Sequence, residues 1–201
     1  MNKMIGIAHE SLVFARRTRA LASAIGELLP SRADILDVGC GDGTVDRLIL
    51  QSRPDLEIRG IDVLQRPSSA IPVSTFDGVT FPCADKSVDT VLFVDVLHHT
   101  NDPCVLLREA VRVARQSIVI KDHTMNGPFA YSTLRIMDWF GNAHHGVALP
   151  YNYWPEARWR SSFAELGLSP AAWHTRLGLY PFPASLIFER HLHFVAELRV
   201  P

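Results

Sequence analysis

The sequence has few cysteines, no long apolar run and almost no net charge, and each scarcity excludes a class of protein. Its three cysteines, Cys40, Cys83 and Cys104, form no C-x-x-C pair, and their odd number argues against a disulfide framework. No apolar run reaches the roughly 18 to 20 residues of a membrane span, and the first residues lack the apolar region of a signal peptide. A formal net charge of −1 at pH 7 provides no basic field for nucleic acid. We therefore expect a cytoplasmic protein with no membrane or nucleic acid partner.

Three alternating glycines follow an apolar segment in the first quarter of the sequence. The apolar run Ile35 to Val38 predicts a strand, and Gly39, Gly41 and Gly43 come directly after it. Glycine tolerates the positive φ values of a sharp turn, and its missing side chain lets the backbone approach a bound molecule closely. The helix predicted from about Val45 to Gln51 would direct its first unpaired N–H groups at the same place. This turn, called the glycine loop below, therefore predicts a ligand site.

An acid further along the chain lies at the distance that suits the ribose of a bound nucleoside. A strand predicted from Ile58 ends at Asp62, about 20 residues past Gly43. A carboxylate at this position accepts hydrogen bonds from both ribose hydroxyls in dinucleotide-binding enzymes. The glycine spacing here is G-x-G-x-G, whereas the dinucleotide fingerprint G-x-G-x-x-G needs a glycine where Thr44 stands. The pattern therefore disfavours a pyrophosphate ligand.

The stretch from Phe76 to His99 completes a resemblance to a known family. An acid at Asp77, an apolar-proline turn, a Ser-x-Asp and an apolar strand follow one another there. Together with the glycine loop and Asp62, this order resembles the class I S-adenosylmethionine (AdoMet)-dependent methyltransferases of type 11, over about residues 34–122. In that family the first acid of the stretch approaches the adenine amino group. That role corresponds to Asp77, although fewer residues separate it from its turn than in the commonest version.

The resemblance implies a fold, a cofactor and a reaction. The fold is a Rossmann-like, doubly wound α/β sheet, mostly parallel, with an antiparallel C-terminal hairpin and helices on both faces. AdoMet would be the methyl donor and S-adenosylhomocysteine the product, and the methyl group would pass to an oxygen or nitrogen atom of a small molecule. The implied cofactor-binding residues are Asp37, Gly39, Cys40, Gly41, Asp62, Val63, Asp77, Gly78 and Asp95.

Strands and helices are predicted to alternate along one domain, residues 1–201, and such alternation indicates a parallel sheet. A long N-terminal helix ends before Pro30, and we expect residues 1–30 to cover the ligand site. Residues of about 123–170 would form a helical and aromatic insertion over the acceptor. The further predicted elements are strands Val73 to Phe76, Thr90 to Val94, Ser117 to Lys121, Ala171 to Leu177 and His191 to Leu198, and helices Pro103 to Ala114, Pro128 to Phe140 and one beginning near Pro155.

Polar side chains end the two strands that would face the transferred methyl group. His98 and His99 follow the fourth strand, and Asp122 and His123 follow the fifth. Neutral imidazole accepts a proton well near pH 7, so we predict His123 as a catalytic residue, with His99 and Asp122 binding the substrate. A structural alternative has one of the paired histidines capping a loop and the other facing solvent. Although Asp95 could join these histidines as a mixed N/O set, no spacing matches a metal signature, and we expect no metal.

The segment from Trp139 to Trp154 combines two glycines, two adjacent histidines and five aromatic residues. Aromatic walls with a few polar tips suit a small, partly apolar acceptor. We therefore predict a substrate lid in which His145 is catalytic and Tyr151 and Tyr153 bind the substrate. The alternative is a structural insertion whose aromatic side chains pack on the sheet and on Trp159.

Two other functions fit parts of the pattern. A non-catalytic subunit that binds AdoMet or S-adenosylhomocysteine for a partner would share the glycine loop, but the polar strand ends argue against it. An NAD(P)-dependent oxidoreductase would share the acid at the end of the second strand, but the G-x-G-x-G spacing disfavours it. The strand-four terminus also lacks the Asn-Pro-Pro-Tyr or Asp-Pro-Pro-Tyr run of enzymes that methylate the amino groups of nucleobases or glutamine.

Overall fold

The computed structural model describes residues 15–142 and 150–201, in which seven strands alternate with helices. The strands are β1 (Asp34–Val38), β2 (Glu57–Asp62), β3 (Val73–Thr75), β4 (Val88–Val94), β5 (Ala114–His123), β6 (Ser169–His174) and β7 (His193–Arg199). The helices are α1 (15–26), α2 (Thr44–Ser52), α3 (Pro103–Val113), α4 (Ala130–Asn142), α5 (Glu156–Glu165) and α6 (Ser185–Phe188), with a 3-10 turn at Leu97–His99.

The strands form one sheet in the order β3-β2-β1-β4-β5-β7-β6. The first five strands run parallel to their neighbours, and β7 lies antiparallel between β5 and β6. This confirms the predicted doubly wound sheet with an antiparallel C-terminal pair. Because the order reverses beside β1, the carboxyl ends of β1 and β4 flank the crevice in which open α/β sheets bind their ligands.

Both faces of the sheet are buried, which explains the nearly continuous apolar runs of the central strands. On one face, Phe93 of β4 packs in a cluster with Leu106 of α3 and Trp159 of α5. On the other, Leu92 joins a cluster with Ile25 of α1 and Ile49 of α2, and further members. The alternation of β4 side chains thus supplies both cores. Among the described residues, no helix is long and apolar enough to cross a membrane.

Local signals set the start of α3 as the sequence predicts. Asp102 is the N-cap, its carboxylate accepts a hydrogen bond of 3.0 Å from the backbone N–H of Cys104, and Pro103 occupies the first turn. Strand β5 is longer than expected at both ends. Its carboxyl end pairs with β7, so that Asp122 lies opposite Phe194 and His123 opposite His193. His123 is therefore inside the strand rather than just beyond it.

Candidate active site

A cavity of about 900 Å³ opens at the carboxyl ends of β1, β2 and β4. Helix α1 supplies one wall through Arg17, Thr18 and Leu21, and the glycine loop supplies another. This volume lies near the upper end of the range for small-molecule sites, about 300–1,000 Å³. Valines and leucines alternate with polar groups around it. The residues that line it include Gly39, Cys40, Gly41, Asp62, Val63, Phe76, Gly78, Val79, Asp95, Val96, His99, Thr100 and Asn101.

The three glycines of the loop all adopt positive φ values, of 75° at Gly39, 60° at Gly41 and 71° at Gly43. They differ in what an added side chain would meet. A Cβ at Gly39 would lie 2.6 Å from a methyl group of Val96, and one at Gly43 would lie 2.7 Å from Ile71. A Cβ at Gly41 would have no atom of the other described residues within 4 Å, its two chain neighbours aside, and Gly41 lines the cavity. Gly39 and Gly43 therefore need to be glycine because of close packing, whereas Gly41 keeps cavity space open.

Asp62 ends β2 on the cavity wall and holds the loop beside it. Its Oδ2 accepts a hydrogen bond of 2.8 Å from the backbone N–H of Gly41, and its Oδ1 accepts one of 2.8 Å from Leu64. A carboxylate has about four lone-pair sites, so each oxygen can accept one more hydrogen bond. The side chain can therefore order the loop and still bind a pair of hydroxyls.

Asp77 stands behind the rim of the cavity rather than on its wall. Its Oδ1 accepts hydrogen bonds from the backbone N–H groups of Val79 and Thr80, at 2.8 and 2.7 Å. These bonds lower the pKa of the Asp77 carboxyl. The turn that they form presents Gly78 and Val79 to the cavity.

Asp95 follows β4, and its carboxylate forms ion pairs with two basic side chains. Its Oδ2 is 3.0 Å from a guanidinium nitrogen of Arg17, and its Oδ1 forms an ion pair with the fully buried ammonium of Lys121. Burial favours the neutral acid, but the charges of Lys121 and Arg17 outweigh it and hold the pKa of Asp95 below its usual value. Arg17 belongs to α1, so this pair fastens the first helix across the cavity.

A cluster of three histidines and two acids, called the histidine cluster below, lies behind Asp95. His98 is at its centre: its Nδ1 is 2.6 Å from Oδ1 of Asp122, and its Nε2 is 3.4 Å from Oδ1 of Asp138. Asp122 also accepts a hydrogen bond of 3.0 Å from the backbone N–H of Leu97, which fixes the turn after β4. Burial would lower the pKa of His98, but Asp122 and Asp138 outweigh it and raise the pKa to about 10.

The other two histidines of the cluster differ in their access to the cavity. His99 lines it, and its Nε2 is 3.6 Å from Oδ1 of Asp138. His123 is 5% exposed and lies edge-on to His98, with their Nδ1 atoms 3.4 Å apart. Burial lowers the pKa of both imidazoles, aided at His99 by His98 and at His123 by Lys121 and His98. Both rings are therefore neutral near pH 7.

The described end of the predicted lid is fastened to the turn that carries His98 and His99. Asn152 donates a backbone hydrogen bond to the carbonyl of His98 at 3.3 Å and a side-chain one to that of Thr100 at 2.9 Å. The hydroxyl of Tyr153 donates to Oδ2 of Asp138 at 2.9 Å. Trp154 is buried against Trp159, with ring centroids 4.8 Å apart, as the structural alternative for this segment expects.

Asp37 is buried beneath the glycine loop beside a second acid, Asp46 of α2. Burial and the proximity of Asp46 raise the pKa of Asp37 well above its usual value, and burial raises that of Asp46 to about 6. One of the two carboxyl groups must be protonated for a hydrogen bond to join them. This pair lies under the site rather than in it.

The structure brings most of the predicted site residues to one cavity. Those on its wall are Gly39, Cys40, Gly41, Asp62, Val63, Gly78, Asp95 and His99. Those that lie behind the wall or beside it are Asp37, Asp77, Asp122, His123, Tyr151 and Tyr153. His145 and the middle of the predicted lid, residues 143–149, lie outside the described residues, as do residues 1–14.

Among the residues of this site that the sequence analysis missed are Arg17, Lys121, Asp138 and Asn152. Lys121 directly follows the apolar run Ile118 to Ile120, and Asp138 stands between Met137 and Trp139; a charged residue beside such apolar neighbours is the signal that marks each of them. Arg17 stands among other arginines, and nothing local distinguishes it.

Comparison with known proteins gives the family. Residues 12–171 match the family described as "Methyltransferase domain". The chain belongs to this family. Its fold is that of the class I AdoMet-dependent methyltransferases, as the resemblance implied.

Two curated relatives and one solved structure illustrate the match. A 27-O-demethylrifamycin SV methyltransferase of Amycolatopsis mediterranei is 29% identical over 121 residues, 53% of this chain and 44% of the relative. An uncharacterized methyltransferase of Mycobacterium sp. (strain JLS) is 30% identical over 132 residues, 61% of this chain and 52% of the relative. The chain thus spans about half the length of these relatives. The putative methyltransferase in a complex with the Haloferax volcanii Trm112 methyltransferase activator is 17% identical, with a TM-score of 0.69 over 92% of this chain and 90% of that one.

Proposed function

We propose that this protein is an AdoMet-dependent methyltransferase that transfers a methyl group to an oxygen or nitrogen atom of a small molecule. The observation that carries the proposal is the position of Gly41. Its Cα borders the cavity, and a side chain there would enter empty space rather than protein. Family membership gives the reaction class, and the cavity at the strand ends offers the donor a place beside Asp62.

The donor site would be built from three elements. The glycine loop would bring backbone close to the ligand, Asp62 would accept hydrogen bonds from the ribose hydroxyls, and Val63 with Gly78 would flank the adenine. Asp95 would face the amino-acid end, with its charge already balanced by Arg17 and Lys121. Asp77 would contribute by shaping the turn that carries Gly78, and its second oxygen would remain for the adenine amino group.

The acceptor would occupy the part of the cavity beside His99, Thr100 and Asn101. A volume of about 900 Å³ leaves room for a second small molecule beside a nucleoside-sized donor. The walls there combine valine and leucine side chains with imidazole, hydroxyl and amide groups. Such a surface suits a compact, partly apolar acceptor and does not suit a long polyanion.

The donor sulfonium supplies a methyl carbon for in-line displacement, and the protein must align the acceptor atom and receive its proton. Alignment alone contributes roughly 7 to 11 kcal/mol to well-oriented reactions. His99 is the imidazole on the cavity wall and would orient the acceptor. His123 would act on it through His98 and Asp122, and the predicted roles of His145, Tyr151 and Tyr153 remain proposals of the same kind.

Ligand binding followed by turnover tests the proposal. Calorimetry with AdoMet, S-adenosylhomocysteine, NAD and NADP should show binding of the first two alone. Formation of S-adenosylhomocysteine with a panel of small hydroxyl and amine acceptors should then identify the substrate class. Binding of NAD in place of AdoMet would overturn the donor assignment. AdoMet binding without turnover on any acceptor would favour the non-catalytic subunit instead.

A further inference from the structure

Three ligand-type side chains of the histidine cluster converge on one point at the inner edge of the cavity. Nε2 of His98 and Nε2 of His99 lie 3.4 and 3.6 Å from Oδ1 of Asp138, and one possible ligand atom of each residue lies within 4.8 Å of those of the other two. We propose that these three residues bind one divalent transition-metal ion of the zinc class. The proposal concerns metal binding and does not rest on the proposed methyl transfer.

The separations match shared coordination better than direct hydrogen bonding. Protein hydrogen bonds from nitrogen to oxygen span about 2.7–3.2 Å, and both contacts to Asp138 are longer. Two ligand atoms that each lie about 2.0–2.1 Å from a tetrahedral zinc ion are roughly 3.4 Å apart. An ion between His98, His99 and Asp138 would therefore need little movement of their side chains.

His98 is oriented as a ligand would be. Asp122 is held as a carboxylate by the backbone N–H groups of Leu97, His98 and His123, so Nδ1 of His98 carries the proton in their 2.6 Å contact. Its Nε2 is buried and has no hydrogen-bond partner among the described residues. A histidine that donates one ring nitrogen to a carboxylate and offers the other to a metal is the usual arrangement in metalloproteins.

Asp138 is supported in the same way. Tyr153 donates a hydrogen bond of 2.9 Å to Oδ2, which turns Oδ1 towards the two histidines. Asp122 and Asp138 together place two negative charges around His98, and this charge favours a cation between them. The same charge raises the pKa of His98, so a proton is the competing occupant.

A second set of possible ligands, Asp95, His98 and His123, is less suitable. Both oxygens of Asp95 are already ion-paired, one with Arg17 and one with Lys121. These cations would repel a metal ion in the same place. Nδ1 of His98 points to Asp122 rather than to this set.

The chemical types of the three ligand atoms favour some metal ions over others. Two imidazole nitrogens and one carboxylate oxygen suit zinc and its first-row neighbours, whereas magnesium prefers a shell of oxygens. Three protein ligands leave a fourth position, as catalytic zinc sites do. His99 lines the cavity, so a fourth ligand would come from that side.

Zinc titration without methyl donor tests the site. After chelator treatment and dialysis, calorimetry should show one Zn²⁺ bound per chain and no binding of Mg²⁺ at the same concentrations. His99→Ala and Asp138→Asn should each weaken Zn²⁺ binding about 100-fold or more, and Tyr153→Phe about 10-fold, because loss of a supporting contact costs 10- to 100-fold. His174→Ala, a change at an exposed histidine, should leave the affinity unchanged.

Melting without metal and AdoMet calorimetry with chelator serve as two further measurements. Circular dichroism melting without metal checks that each variant folds. If Asp138→Asn does not fold, the Zn²⁺ affinity of His99→Ala tests the site instead, because the His99 side chain lies at the cavity edge and its loss should disturb folding less. Failure of the wild type to bind Zn²⁺, or equal binding by wild type and His99→Ala, overturns the site. AdoMet calorimetry in the presence of chelator reports on the donor site alone, so failure of the metal proposal is distinguishable from failure of the proposed function.

Discussion

The backbone N–H of Gly41 donates a hydrogen bond to Oδ2 of Asp62, which joins the glycine loop to the carboxyl end of β2. The residue proposed to bind the ribose therefore also positions the residue that keeps the cavity open. Changes at either position should act on the same ligand, but for different physical reasons: one removes hydrogen-bond acceptors and the other fills space.

Asp62→Ala removes both proposed ribose contacts and should weaken AdoMet binding by about 100-fold or more. Each charge-assisted hydrogen bond contributes roughly 1.5–3 kcal/mol, and a factor of ten in affinity corresponds to about 1.4 kcal/mol. Isothermal calorimetry with AdoMet measures the change. Asp85→Asn, at an exposed carboxylate, serves as the control. An Asp62→Ala variant that binds AdoMet as the wild type does would remove Asp62 from the donor site.

Gly41→Leu should abolish AdoMet binding while the protein still folds, because the new side chain would enter the cavity. Gly178→Leu is a matched control. Gly178 has a φ of 64°, close to the 60° of Gly41. In the part of the chain that the structure describes, no atom beyond its two neighbours lies within 4 Å of an added Cβ, and Gly178 is not among the cavity-lining residues. Both variants carry the same backbone cost, about 1–2 kcal/mol. Equal affinities in the two variants would contradict the assignment of the loop to the donor.

Local patterns made the fold and the cavity wall around the glycine loop predictable. The glycine loop, Asp62 and the N-cap Asp102 each depend on residues that are neighbours in the sequence, and the structure has them where the patterns indicate. The parallel sheet follows from the alternation of strands and helices. A local pattern carries this information because the turn after a strand is formed by the turn's own residues.

The surroundings of Asp95 and the histidine cluster depend on contacts between distant segments, and no local pattern reveals them. Arg17 reaches Asp95 across 78 positions of sequence, and Asn152 reaches Thr100 across 52. His123 illustrates the consequence. It was expected just beyond a strand, but the antiparallel partner β7 extends β5 to include it, and His193 covers its ring.

Arg17→Gln should weaken AdoMet binding measurably while changing the melting temperature of the ligand-free protein only a little. Asp95 would keep Lys121 as its partner, so the buried charge stays paired, but the tie between α1 and the cavity is lost. We expect AdoMet affinity to fall by about 3- to 10-fold and the melting temperature without ligand to fall by less than about 4 °C. Arg19→Gln, an exposed arginine of the same helix, is the control. Equal effects of the two variants on AdoMet affinity would contradict a role of α1 as a cover.

Asp46→Asn should stabilise the protein at alkaline pH. Burial raises the pKa of Asp46 from 3.8 to about 6, so the folded state holds a proton that the unfolded state has lost. Stability from this group is therefore complete below about pH 4 and is lost as the pH rises through 6. The amide cannot ionise, so the variant loses that dependence. We expect a gain of roughly 2 kcal/mol at pH 8, about 4–8 °C in melting temperature, that disappears near pH 4. A gain that is equal at both pH values would show that ionisation is not its cause.

His123→Asn tests whether the buried imidazole accepts the acceptor's proton. The ring does not line the cavity and contacts His98 and Asp122 instead, so we expect it to act as a positioning residue. With the acceptor found by the panel assay, kcat should fall less than about 10-fold and the AdoMet affinity should stay unchanged, with His123→Gln restoring part of the loss. A positioned general base contributes 10²- to 10⁴-fold. A fall of that size in kcat, with KM unchanged, would instead identify His123 as the base and require the proton to pass through His98.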